Sequence, residues 1–197
     1  MPTDRDWNQR YLDAATPWDS GRPSAELVRV LATNEIPRGR VLELGCGSGT
    51  NAIYLAQQGF EVTAIDIAPA ALELARQRAE QAHVTINFIE ADVHRFDTPG
   101  PRFDFLFDRG CYHCCRRIDL AGYLRTHELC LRPDAWALML TGNADDPKPD
   151  GPPKLTAAEL TAELEPLYRF IALHEFRFED PGGIPGPLGW STLLRKR

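Results

Sequence analysis

Three glycines at alternate positions, Gly45, Gly47 and Gly49, lie between a short apolar run (Val41, Leu42, Leu44) and a stretch with helical spacing. Glycines let backbone N–H groups come close to a ligand, and the N-terminus of a helix favours a negative group. Buried strand, tight turn and helix, in that order, make the floor of a nucleotide-type cofactor site. Glu43 precedes the first glycine by two residues, and Cys46 sits inside the turn. Further along the chain Asp66 ends a second apolar run, where a carboxylate can accept hydrogen bonds from ribose hydroxyls. A dinucleotide fingerprint wants glycine at its sixth position, and counted from Gly45 that residue is Thr50. A glycine-rich turn without a ligand is the plain alternative, and the flanking strand, helix and acid weigh against it.

These residues need elements to position them. The pattern predicts strands at Arg40–Leu44, Glu61–Asp66, Val84–Glu90, Phe103–Asp108 and Ala135–Thr141. Two closing strands follow, Tyr168–Glu179 and Trp190–Arg195, around a loop Asp180–Gly189. Helices are expected at Ala25–Ala32 with Ser24 as its cap, at Thr50–Gln58 stopped by Gly59, and from Pro69 through Ala82. A further helix is expected at Asp119–Leu131, closed by Arg132-Pro133-Asp134. Thr156 and Glu159 form a capping box for the last one. Gly142–Pro153 reads as a loop, Trp7–Ala15 as an amphipathic piece and Thr16–Pro23 as ordered turn. Strands alternating with helices imply a parallel sheet covered on both faces, with the ligand at the C-terminal strand ends. Glu43 to Gly49, Asp66, Asp92 and Asp108 all fall there.

The 197 residues fit one domain, and the 43% hydrophobic and 25% charged composition is that of a globular chain. A net charge of -6 opposes a nucleic-acid footprint, which needs a basic surface. No apolar run is long enough for a membrane span, and the polar Met1–Arg10 is no secretory signal. Five cysteines without such a signal point to reduced thiols in the cytoplasm. The expected form is a monomer.

The acidic-x-Gly-x-Gly-x-Gly form of Glu43 to Gly49 resembles the first motif of class I S-adenosylmethionine-dependent methyltransferases. Pro17-Trp18-Asp19-Ser20-Gly21-Arg22-Pro23 and Phe103-Asp104-Phe105-Leu106-Phe107-Asp108-Arg109-Gly110 resemble motifs of the thiopurine S-methyltransferase-like group. That group includes enzymes acting on thiols, halide ions and tellurite or selenite. The resemblance implies an α/β, Rossmann-like fold with a seven-stranded, mostly parallel sheet whose last strand is antiparallel. It implies a single domain over 1–197, with 1–23 as an N-terminal lid. The implied cofactor is S-adenosyl-L-methionine, bound by Trp18, Glu43, Gly45, Cys46, Gly47, Gly49, Asp66, Ile67, Asp92, Val93 and Asp108. In that family the acid after the third strand meets the adenine amino group, and the one after the fourth lies by the cofactor's amino-acid end. Phe107, where some relatives carry tryptophan, and the run Cys111-Tyr112-His113-Cys114-Cys115 depart from the pattern.

Three residues are candidates for the chemistry. His113, as a neutral imidazole, can deprotonate a thiol, or it can be a histidine bonded to backbone at a helix start. Arg109 can hold a substrate anion or favour a thiolate, or pair with a neighbouring acid. Asp19 can accept a substrate proton, or bond its own turn. Trp18 offers an aromatic face to a sulfonium. Cys111, Cys114, His127 and Cys130 have the spacing of a small zinc site, but the last two fall inside a predicted helix, so no metal is expected. The expected reaction is in-line methyl transfer to a small soft nucleophile, a thiol or other chalcogen compound. The alternatives are a nitrogen, oxygen or macromolecular acceptor, and, outside this family, a nicotinamide-dependent oxidoreductase or a non-catalytic binding module.

Overall fold

The computed structural model describes residues 6–33, 36–98, 100–148, 151–179 and 185–197. Among them the chain forms α1 (Trp7–Leu12), α2 (Ala25–Ala32), β1 (Arg40–Leu44), α3 (Thr50–Gln57), β2 (Glu61–Asp66), α4 (Pro69–Gln81) and β3 (Asn87–Glu90). It continues with β4 (Phe103–Arg109), α5 (Tyr112–Cys130), β5 (Leu131–Asn143), β6 (Lys154–Leu155), α6 (Ala157–Leu164), β7 (Tyr168–Glu179) and β8 (Pro185–Lys196). The sheet runs β3-β2-β1-β4-β5-β8-β7, with the two-residue β6 added at the end of β5. β1 to β5 are parallel, and β8 runs antiparallel between β5 and β7. This is the expected Rossmann-like sheet. From β1 the chain winds outward through β2 and β3, then returns to β4 on the other side. Ligands bind at that switch point, beyond the strand ends.

Alternation along the strands feeds two cores. Val41, Phe105, Phe107, Leu138 and Leu140 pack on one face with Leu27, Val30 and Leu31 of α2, Leu55 of α3 and Leu72 of α4. Leu42, Leu44, Leu106, Ala137 and Met139 pack on the other with Tyr112, Tyr123 and Cys130 of α5 and Leu160 and Leu164 of α6. Local signals held where they are strong. Pro69 occupies the first turn of α4, and Thr156 and Glu159 exchange both bonds of the capping box.

Elsewhere the structure differs from the sequence reading. β3 begins only at Asn87, because His83 is left-handed (φ 56°) and the Val84 N–H still bonds to the Ala79 carbonyl at 3.1 Å. The helix expected from Asp119 begins at Tyr112, and Asp119 (φ -154°, ψ 85°) is a kink whose carboxylate accepts the Gly122 N–H at 2.9 Å. The turn at Arg132–Asp134 is an interruption within β5: Phe103 pairs with Leu131, but Phe105 pairs with Trp136. β5 also runs on through Asn143, into the expected loop. Ser24 stands at the N-cap of α2 as expected, but its side chain makes no capping bond. Its hydroxyl bonds to Glu179, whose carboxylate takes the Ala25 N–H at 2.6 Å instead. β8 starts at Pro185, so the expected loop lies partly in strand, and its residues 180–184 fall outside the described ones. Glycine hides that strand, since Gly189 packs so tightly that a Cβ would meet the Phe176 and Phe178 rings at 2.5 and 2.7 Å.

Candidate cofactor and methyl-transfer site

The turn after β1 is built for close approach. Gly45 and Gly47 have φ of 61° and 54°, which favours glycine. A Cβ on Gly45 would meet that of Cys111 at 2.8 Å, and one on Gly47 would strike the Tyr11 hydroxyl. The Cys46 N–H donates to the Ile65 carbonyl at 3.0 Å, which hangs the turn on β2. Cys46 itself is buried and packs in the core, and burial pushes its thiol pKa up.

Asp66 joins the two loops. One carboxylate oxygen accepts the Gly47 N–H at 2.8 Å and the other the Ala68 N–H at 2.9 Å. Each oxygen keeps acceptor capacity for a ribose hydroxyl. Burial raises its pKa against the pull of those backbone bonds. Ile67 beside it is an apolar side chain left 54% exposed. Asp92 accepts both the backbone and the ring Nδ1 of His94, at 2.9 and 2.8 Å. Burial raises the Asp92 pKa, but those bonds outweigh it and hold it below the usual value. Val93 is buried behind it.

Three carboxyl groups share this end of the sheet. Glu43 is buried, with one oxygen that has no hydrogen-bond partner. Burial first, then the Asp108 carboxylate, raise its pKa well above normal. Burial lifts Asp108 to about 7. A bound cation relieves such crowding, so the residues fit a group carrying a sulfonium and an ammonium charge. The fit sets a pH dependence. Raised carboxyl pKa values mean that protons must leave before the acids can attract a cation. Affinity for S-adenosylmethionine should therefore fall as pH drops from 8 to 6, with protons released on binding. Calorimetry in buffers of different ionisation enthalpy reads both quantities.

Residues 6–23 lie over the turn. Asn8 accepts the Ala70 N–H at 2.8 Å, docking α1 on the start of α4. The Trp18 indole N–H donates to the Tyr11 hydroxyl at 3.3 Å, and the Arg10 guanidinium stacks 4.3 Å from the Trp18 ring centre. Trp18 thus already holds a cation on its ring. Burial keeps the Tyr11 phenol protonated. Since the indole can only donate, the hydroxyl proton is available to another acceptor at the glycine turn.

Each candidate for the chemistry makes the bonds of the second reading given for it. Arg109 donates to the Trp18 carbonyl and to the Glu179 carboxylate, both at 3.3 Å, and lies over the Phe178 ring. The His113 Nδ1 accepts the Gly142 N–H at 3.0 Å. That bond places the proton of the neutral ring on Nε2. Asp19 bonds to Arg78 at 3.0 Å and to Thr50 at 3.4 Å, and Arg78 also reaches Ser48 at 2.5 Å. Burial raises the Asp19 pKa, but Ser48 and Arg78 overcome this and keep it ionised. It clamps the glycine turn. Asp108 turns inward, accepting the Cys111 and Tyr112 N–H groups at 3.0 Å and the Tyr123 hydroxyl at 2.7 Å. It positions the start of α5.

The zinc-like spacing does not converge either: His127 bonds to the Tyr168 hydroxyl at 2.7 Å, and Cys130 lies against the Phe96 carbonyl. Tyr11, Ser48, Arg78 and Glu179 were not among the residues singled out. The Trp7–Tyr11 spacing within the amphipathic piece was a usable signal for the first, while nothing local marks Glu179.

Comparison with known proteins agrees with this architecture. Residues 41–134 match a family model described as a methyltransferase domain. The 2-heptyl-1-hydroxyquinolin-4(1H)-one methyltransferase of Mycobacteroides abscessus is 30% identical over 152 residues, covering 76% of this chain and 66% of that protein. Thiocyanate methyltransferase 1 of Arabidopsis thaliana is 25% identical over 193 residues, covering 96% of this chain and 82% of that one. The 1,6-didemethyltoxoflavin-N1-methyltransferase of Burkholderia thailandensis, solved with 1,6-didemethyltoxoflavin and S-adenosylhomocysteine bound, superposes with a TM-score of 0.71 at 25% identity. The match covers 97% of this chain and 85% of that one. The chain belongs to the class I S-adenosylmethionine-dependent methyltransferases, and S-adenosylmethionine is the cofactor its cleft is built to hold.

Proposed function

We propose that the chain methylates a small soft nucleophile, a thiol or related chalcogen compound, within a cleft roofed by residues 6–23. The observation that carries this reading is that both candidate bases are engaged. His113 spends its basic nitrogen on the Gly142 N–H, and Asp19 is bound by Arg78 and Thr50. A nucleophile that ionises by itself needs no base, and thiols do so near neutral pH. Relatives named for thiol and thiocyanate methylation support the reading at 26% and 25% identity.

When bound, S-adenosylmethionine supplies a methyl group made electrophilic by the sulfonium. Asp66, with the backbone of Gly45 to Gly49, would hold the nucleoside, and the acidic strand ends would hold the cationic end. Trp18 and Tyr11 would exclude water from above. Alignment and water exclusion are then the protein's contribution.

A panel of thiols, halides, oxyanions, phenols, N-hydroxy heterocycles and amines, with product detection by mass, tests the acceptor. Thiols should turn over fastest, and their rates should follow the thiolate fraction. Turnover confined to an N-hydroxy heterocycle, the compound class in the name of the 30%-identical relative, would replace the soft nucleophile with an oxygen or nitrogen acceptor. The roof has its own check. Its ties are a few single hydrogen bonds, so residues 6–23 should gain hydrogen-exchange protection when S-adenosylhomocysteine binds. Equal protection in both states would remove the lid from the mechanism. Residues 1–5 of the expected lid lie outside the described residues.

A further inference from the structure

Cys111 and Cys115 stand one helical turn apart at the start of α5, and their sulfurs face each other at 3.6 Å. Both are free thiols and both are partly exposed. Two sulfurs bonded at about 2.3 Å to one centre, at an angle from about 90° (pyramidal) to about 109° (tetrahedral), stand about 3.3–3.8 Å apart, so the pair is already at chelating distance. A disulfide, at about 2.05 Å, would require the sulfurs to move much closer against the spacing of the helix.

The surroundings narrow the ligand. The hydrogen bond with Cys115, then burial, then the nearby carboxylates of Asp108 and Asp66 keep the Cys111 thiol protonated. A divalent cation needs thiolates and competes poorly there. The hydroxide of a soft trivalent element needs none. Two of its element–oxygen bonds break as two element–sulfur bonds form, and the two thiol protons leave with the hydroxides as two waters. No electron is transferred.

The pair is also placed to matter. A Cβ on Gly45 would stand 3.0 Å from the Cys111 sulfur, so that thiol rests on the glycine turn. The Cys115 carbonyl lies 3.3 Å from the His94 ring, whose other nitrogen is bound by Asp92. The Cys111 thiol and the Cys115 backbone therefore touch the loops that follow β1 and β3.

We propose that Cys111 and Cys115 form a two-thiol site for a trivalent thiophilic metalloid of the arsenic(III) class, and that its occupation closes the cleft to the cofactor. The site itself is independent of the methyl-transfer reading, and only the blocking effect rests on it.

The probe is phenylarsine oxide, which condenses with two thiols and releases one water. Native protein should take up one equivalent by intact mass. Excess glutathione should leave the adduct in place, and 2,3-dimercaptopropanol should remove it. Tryptic mapping of the unsubstituted chain should place the arsenic on residues 110–116. Cys111→Ser and Cys115→Ser should each abolish the stable adduct, while Cys114→Ser retains it. The loaded chain should bind S-adenosylhomocysteine at least tenfold more weakly in calorimetry.

An adduct that glutathione strips, maps elsewhere or survives both substitutions overturns the site. Unchanged S-adenosylhomocysteine affinity in the loaded chain overturns the blocking. Failure of the unloaded chain to bind S-adenosylhomocysteine would count against the cofactor reading instead, and the adduct would still report on the thiol pair.

Discussion

Asp66→Ala is expected to bind S-adenosylhomocysteine at least about 100-fold more weakly than the parent chain. A hydrogen bond to a charged group contributes about 1.5–3 kcal/mol, and the carboxylate has two oxygens for the two ribose hydroxyls. The same substitution frees the Gly47 and Ala68 N–H groups that Asp66 now holds at 2.8 and 2.9 Å, so the turn loses its tie to the loop after β2. Asp66→Asn separates the two contributions, because one amide oxygen can still accept. Its affinity should fall between those of the parent and the alanine variant. Calorimetry of the three chains, together with their melting temperatures, makes the measurement. Parent-like affinity in Asp66→Ala would show that the ribose lies elsewhere.

The second large effect is on stability. Asp108→Ala should cost about 3–5 kcal/mol of unfolding free energy, read by urea denaturation without cofactor. Asp108 is fully buried and receives the N–H groups that open α5 as well as the Tyr123 hydroxyl. Alanine leaves all of these donors without an acceptor in a site closed to water. The pH dependence carries a sign. Burial lifts Asp108 to about 7 in the folded chain, against its ordinary 3.8. Between those values the folded chain binds the proton that the unfolded chain has lost. Protonation therefore stabilises the fold, and that stabilisation is lost as pH rises through about 7. The alanine variant lacks this slope, so the stability gap should widen as pH is lowered from 8 toward 5. A gap that stays constant with pH would mean that Asp108 is ionised throughout.

Much of this molecule is written in short-range pattern. The apolar run into Gly45-Cys46-Gly47-Ser48-Gly49 led to β1, the turn and α3 because a strand's period and a turn's glycines act over a few residues. The Thr156–Glu159 capping box and Pro69 at the start of α4 are interactions within one helical turn, and both stand as expected. The acids at the ends of β1, β2 and β4, and just past β3, were legible for the same reason: strand boundaries set their place, and the parallel order brings those ends together.

The partners of the polar side chains were a different matter. Arg109 meets Glu179 across 70 residues of sequence, Arg78 meets Asp19 across 59, and the Gly142 N–H meets His113 across 29. A long guanidinium at a strand end can reach several carboxylates once the sheet is assembled, and no local pattern selects among them. β8 decided one such case, because its antiparallel pairing with β7 carries Glu179 to the start of α2 and to Arg109. By itself the sequence determined the family, the cofactor and the strand ends that carry the acids, since those depend on backbone shape and spacing. Only the tertiary structure decided that Arg109 pairs with Glu179, His113 with the Gly142 N–H and Asp19 with Arg78, because hydrogen-bond partners are chosen by proximity in space.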